Sequence, residues 1–155
     1  MQKLKCKMSQ LSEQEQVRRE KLEALKSLGI NPYPAPLYPI NANSSSIKED
    51  FEEEKEVIIA GRLMSRRIQG KASFAELQDS QGRIQVYFNR DEICTSEDKT
   101  LYNEVYKKLL DIGDIIGIKG KLFTTQVGEK TVMVKEFEIL NKTLSIFKWY
   151  PNAIY

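Results

Sequence analysis

The sequence contains no histidine and only two cysteines, Cys6 and Cys94, which lie too far apart to suggest a shared metal. These shortages exclude a zinc centre and a catalytic triad built on imidazole. Apolar runs are equally scarce, and none is long enough to span a bilayer. The opening MQKLKCKM has basic residues but no hydrophobic stretch behind them, so it does not read as an export signal. Together these features predict a cytoplasmic protein with reduced thiols and no membrane partner. At 155 residues the chain can bury a core of its own, as one domain with an appended helix.

Net charge is small as well, +2 from 24 basic and 22 acidic residues, but it is unevenly spread. Residues 1–56 carry 9 basic and 10 acidic side chains, and residues 91–155 carry the same numbers. Between them, residues 57–90 hold 6 basic against 2 acidic, a local excess of +4. Such a block suits a polyanion-binding face, or else a surface that is merely solvated.

Three regions follow from the pattern. In residues 1–56, Ser12-Glu13-Gln14-Glu15 has the spacing of a capping box, so a helix is expected to start there and stop at Gly29. Val17, Ala24, Leu25 and Leu28 would form its apolar face. Its polar side holds Arg18, Arg19, Glu20, Lys21 and Lys26, ordinarily a solvated face but able to touch a nucleic-acid backbone. Four prolines, Pro32, Pro34, Pro36 and Pro39, then forbid helix, and a Ser/Asn tract and an acidic run complete a connector.

Residues 57–144 change to strand character. "VIIAGRLMSRRI" is broken by Gly61, where a bulge would let a strand coil. "ASFAELQD" and "RIQVYFN" flank a turn at Asp79-Ser80-Gln81-Gly82. Leu101, Val105, Leu109 and Ile112 recur at helical spacing before Gly113, and two more strands follow, joined by a turn at Val127-Gly128-Glu129. Five strands with one helix between the third and fourth, preceded by an N-terminal α-helix, is the order of an OB-fold barrel, a mainly β architecture whose strands 2 and 3 meet oligonucleotides. Residues 145–155 form an atypical tail.

Alternation raises a question at Phe74. If Ala75 and Leu77 face inward, Phe74 and Glu76 face water, and on the next strand Gln85 and Tyr87 join them. A bare ring, a side-chain amide and nearby arginines are what an unpaired base needs. The competing reading is an aromatic covered by a loop or by the first helix.

The run "AGRLMSRRIQGKASFAELQDSQGRIQVY", residues 60–87, resembles the N-terminal anticodon-binding domain of bacterial class II lysyl-tRNA synthetases. "VRREKLEALKSLGINPYP" is similar to that family's first helix and proline exit, and "LYNEVYKKLLDIGDIIGIKGKLFTTQVGE" to its barrel helix and fourth strand. The resemblance covers roughly residues 11 to 144. Aspartyl- and asparaginyl-tRNA synthetases share the barrel and are the more distant match.

The resemblance implies that Phe74 stacks on an anticodon base, that Arg67 and Gln85 help read a central uracil, and that Glu129 belongs to the same site. Uracil offers acceptor, donor and acceptor along its pairing edge, so two donors and one acceptor fit it and leave cytosine mismatched. Arg62, Arg66 and Lys71 are candidate phosphate contacts, with a solvated surface as the alternative. The implied partner is lysine tRNA through its U-rich anticodon. The family performs ATP-dependent aminoacylation in a further domain that binds ATP, magnesium and lysine. That domain is expected to lie outside this chain, which would then hold no cofactor and be inactive alone. The family dimerises largely through it, leaving this chain able to stand as a monomer. A general single-strand binder without anticodon specificity is the alternative function.

Overall fold

The computed structural model describes residues 12–144; Cys6 and the tail 145–155 lie outside them. Five strands form a closed barrel in the order β1-β2-β3-β5-β4. β2 (Ala72–Asp79) and β3 (Gly82–Asn89) make the central hairpin. Ala75, Leu77, Ile84, Val86 and Phe88 enter the core, and the residues between them stay half-exposed. Asp79 builds the turn: its Oδ1 accepts from the amides of Gln81 at 2.8 Å and Gly82 at 3.0 Å.

β1 (Glu56–Gln69) serves two neighbours, pairing with β4 (Ile115–Thr124) through its first half and with β2 through its second. Gly61 stands at the handover, where a Cβ would come within 2.9 Å of the Gln78 carbonyl oxygen. The bulge expected at Gly61 lies further on, between Leu63 and Ser65, so the glycine serves close approach and Met64 takes the extra position. β5 (Lys130–Asn141) runs antiparallel to β4 and closes the barrel by pairing in parallel with β3.

The first helix, α1 (Glu13–Ser27), begins where expected, with Ser12 Oγ accepting from the Glu15 amide. Its packing face differs from the expectation. Leu22 and Leu25 are buried, whereas Val17 and Leu28 are 46% and 47% exposed. The helix is rotated because Arg18 and Lys21 turn toward the barrel: Arg18 donates to the carbonyls of Thr143 and Ile112, and Lys21 meets Asp111 at 2.5 Å. Two of the cations read as solvated are thus structural ties.

The connector is also more ordered than its composition suggests. A short helix, α2 (Ser44–Glu49), is closed by a reciprocal capping box between Asn43 and Ser46, and Ser44 donates to Asp79 through both its amide and its hydroxyl, each at 2.7 Å. Upstream, Asn41 exchanges two hydrogen bonds with Ile58, so the proline-rich strap is sewn to β1. Tyr38 lies across Gly117, where a Cβ would sit 2.5 Å from its ring.

Two helices separate β3 from β4: a single turn, α3 (Arg90–Ile93), and a wide helix of π type, α4 (Leu101–Leu109). The buried residues of α4 are Tyr102, Val105 and Tyr106, while Leu101, Leu109 and the following Ile112 are only partly covered. The tyrosines take the interior because their hydroxyls find partners there. Tyr102 donates to the Gly70 carbonyl at 3.1 Å, and Tyr106 shares a 2.7 Å hydrogen bond with buried Ser73. Phe88 stacks on Tyr106 at 4.1 Å between ring centres. No helix among the described residues is long and apolar enough to cross a membrane.

Where the chain leaves β5, Lys142 and Asp114 form a pair at 2.9 Å with both side chains fully buried, and Lys142 also reaches Asp111 at 2.7 Å. Burial pushes the Asp111 carboxyl up, but the ammonium groups of Lys142 and Lys21 outweigh it and hold its pKa below the usual range. A carboxyl group depressed on folding adds stability above its unfolded pKa, about 3.9, and loses it as pH falls through the folded value. Thermal unfolding should therefore show Tm falling below about pH 4, with a shallower fall in Asp111→Asn, whose Tm at neutral pH is lower. An equal slope in both proteins contradicts this account of the node.

Candidate nucleic-acid interface

The register of β1, β2, β3 and β5 lays two rows of residues across the outside of the barrel. In one, Arg67 opposes Phe74, which opposes Tyr87, which opposes Met133. In the other, Ser65 opposes Glu76, which opposes Gln85, which opposes Thr131. Residues directly across a ladder point to the same side. Three of the four expected base-reading residues are brought together in this way. Arg67, Phe74 and Gln85 line a single open groove of about 320 Å³, with Ser65, Arg66, Ala75 and Glu76 completing the wall.

Phe74 is half-buried and lies outside the core cluster. Its ring is held on one side by Tyr87, at 5.0 Å between centres and tilted by 51°. Arg67 is exposed and faces Phe74 across the ladder. Glu76 shares the groove with these donors, and Arg83 approaches it at 3.5 Å. Sequence reasoning placed Glu76 on the outer face but gave it no role. The signal was its position two residues after Phe74, on the same side of the strand.

Glu129 stands apart from the groove wall, in the turn between β4 and β5. The turn is fixed by its own hydrogen bonds: the Glu129 amide donates to Thr125 Oγ1 at 3.0 Å, and its carbonyl accepts from the Thr125 amide at 3.0 Å and Thr131 Oγ1 at 3.2 Å. Gly128, at φ 86°, supplies the left-handed step. Because Thr131 is the partner of Gln85, this turn borders the row that contains Gln85.

The three candidate phosphate contacts differ in their surroundings. Arg62 donates to the Gly113 carbonyl at 2.8 Å, tying β1 to the loop before β4. Arg66 donates to the Tyr106 carbonyl at 2.6 Å and lies 5.4 Å from the centre of that ring. Lys71 is the most open, its side chain 62% exposed, with Asp91 at 3.6 Å. Arg90 and Lys99 approach the same Asp91, so three cations surround one carboxylate at the end of the β2–β3 ladder. Desolvation, the largest single influence, pushes the Asp91 carboxyl up, but hydrogen bonds and charge from Arg90 and Lys99 together outweigh it and hold the pKa below the usual range.

The sequence profile of the OB-fold nucleic acid binding domain matches residues 57–140. Over 137 residues the chain is 73% identical to a lysine-tRNA ligase of Christiangramia forsetii, an overlap of 88% of this chain and 24% of that protein. It is 56% identical over 140 residues to the lysine-tRNA ligase of Porphyromonas gingivalis, covering 87% and 24% of the two chains. A lysine-tRNA ligase from Thermoanaerobacter is 46% identical over 145 residues, covering 91% and 28%. The chain thus spans about a quarter of the length of these relatives.

The contrast between neighbouring arginines is testable without a ligand. Arg66→Ala removes a charged hydrogen bond to a main-chain carbonyl and should cost about 1.5 to 3 kcal/mol in urea unfolding. Arg67→Ala, at an exposed position, should stay within about 0.5 kcal/mol of wild type. Equal losses would show that Arg67 too is held by the fold.

Proposed function

The chain belongs to the OB-fold nucleic acid binding domain family, and we propose that it is the tRNA-reading domain of a lysine-tRNA ligase, gripping the unpaired, U-rich anticodon of lysine tRNA. The observation that carries this reading is the gathering of Arg67, Phe74 and Gln85 around one groove on the outer face. The identity to several lysine-tRNA ligases supports the choice of amino acid.

In this reading the ring of Phe74 stacks on one anticodon base, held upright by Tyr87. Arg67 and Gln85 donate to the two carbonyls of uracil, and a carboxylate or main-chain carbonyl accepts from its N3 hydrogen. Glu129 at the border of the Gln85 row is the candidate acceptor from the sequence, and Glu76 within the groove is a second. Cytosine has no hydrogen at N3, so the acceptor would meet a lone pair and groups on both sides would be left unpaired, at a cost of about 1 to 3 kcal/mol. Lys71, Arg90 and Lys99, gathered about Asp91, are the candidate contacts for neighbouring phosphates in this reading. The barrel selects and holds RNA and performs no bond-making step. ATP, magnesium and lysine are assigned to the remainder of such a ligase, outside these residues.

Titration of an anticodon stem-loop presenting UUU tests the reading. Phe74→Ala should weaken binding by about 1 to 3 kcal/mol, the range for one base-stacking aromatic. Wild type should prefer a central U to a central C, and affinity should fall linearly with salt on logarithmic axes. Equal affinity for U and C would favour the general single-strand binder, and no effect of Phe74→Ala would remove the ring from the interface.

A further inference from the structure

A carboxylate, Asp91, stands at the centre of the basic cluster beyond Phe74. Lys71, Arg90 and Lys99 approach it at 3.6, 3.4 and 3.5 Å, so one negative charge is shared by three positive ones. None of these pairs is tight, and the Asp91 and Lys71 side chains are 47% and 62% exposed. Ion pairs of this kind contribute little to folding. The groups themselves are nevertheless fixed. The Arg90 amide donates to the Lys71 carbonyl at 2.8 Å, Lys99 Nζ donates to the carbonyl of buried Cys94, and the Asp91 amide donates to Asn89 Oδ1 at 2.9 Å. Glu92, the next carboxylate along the chain, pairs instead with Lys135 of β5.

Asn89 connects this cluster to the reading groove. Its Nδ2 donates to the Tyr87 hydroxyl at 3.3 Å, and the Tyr87 ring supports Phe74. On β2, Ala72 opposes Asn89 and Phe74 lies two residues further on, a step of about 7 Å. That is roughly the reach of one extended nucleotide, so a base stacked on Phe74 would bring a neighbouring phosphate within range of cations that already hold a carboxylate. Carboxylate and phosphate oxygens compete for the same charged donors.

We propose that Asp91 is a resident counter-anion that RNA must displace, making the seat formed by Lys71, Arg90 and Lys99 selective for a phosphate delivered by a base-anchored strand. A strand with no anchored base presents its phosphates only at their free concentration, and the carboxylate, tethered among the cations, competes with them fully. When a neighbouring base is stacked on Phe74 the phosphate is tethered too, its effective concentration is high, and the loosely held carboxylate yields. Asp91 thus suppresses attachment through the backbone alone, the part of RNA binding that carries no sequence information. The inference rests on the tRNA-reading function proposed above and adds to it a specificity residue that touches no base.

Two stem-loops titrated at low salt provide the test, one presenting UUU and one with the same backbone but no bases at the anticodon positions. Asp91→Asn should tighten binding of the base-free loop about fivefold and of the UUU loop about twofold or less, so that the preference for UUU narrows. Asp91→Glu, which keeps the charge, should retain the wild-type preference. Glu92→Gln removes a charge one position away and controls for general repulsion: it should raise the two affinities alike. In a Lys71→Ala background the gain from Asp91→Asn should shrink, because one of the cations it releases is gone. Equal gains on both loops from Asp91→Asn, or no gain, overturn the counter-anion while leaving the base reading in place. Failure of the wild-type chain to bind the UUU loop overturns both.

Discussion

Three residue pairs, Gln85 with Thr131, Val86 with Val132 and Tyr87 with Met133, close this barrel. They are the only parallel pairing among the described residues, and everything on the outer face depends on them. Without closure β3 would be an edge strand, with unpaired backbone groups where the site should be. With it, the inward members Val86 and Val132 are fully buried, and the outward members fall into register with Glu76 and Phe74. The same pairing draws Phe123 and the Thr125–Glu129 turn next to residues more than thirty positions earlier in the chain.

A rigid face of this kind needs support from within and from the end of the chain. Inside, Phe88, Tyr102, Tyr106 and Phe137 form a connected set of rings under the sheet, and Arg66 caps the set from β1 by way of the Tyr106 carbonyl. At the exit, Lys142 and Asp114 are fully buried, and Asp111 links Lys142 to Lys21 and so holds α1 against the barrel. A buried ion pair of this sort is weak evidence for added stability, since desolvation offsets much of the attraction. Its value here is geometric: the Lys142 amide and carbonyl meet the Pro32 carbonyl and the Tyr33 hydroxyl, so the direction of the chain leaving β5 is set.

Much of this was legible in the sequence. Period-two alternation in residues 72–89 put Phe74, Gln85 and Tyr87 on one face, and the Asp79–Gly82 turn fixed their register. The strand order followed from turn residues and one helical interval. What alternation could not show was contact between distant segments. The seam of α1 was misread because Arg18 and Lys21, polar by type, are consumed by partners about ninety or more positions away, Ile112, Thr143 and Asp111. The face of α4 was misread because helical spacing favours leucines, whereas the tyrosines win the interior once Gly70 and Ser73 satisfy their hydroxyls. α2 hid in a Ser/Asn tract that its own capping box makes helical.

The central claim is that RNA meets the face shared by β1, β2 and β3. Mapping backbone amide chemical shifts by NMR while adding the UUU stem-loop addresses it most directly. Changes should concentrate on Arg67, Phe74, Gln85 and the Thr125–Glu129 turn, with the strap around Tyr38 and the outward face of α1 unmoved. Changes centred on the strap or α1, with the groove silent, would contradict the account.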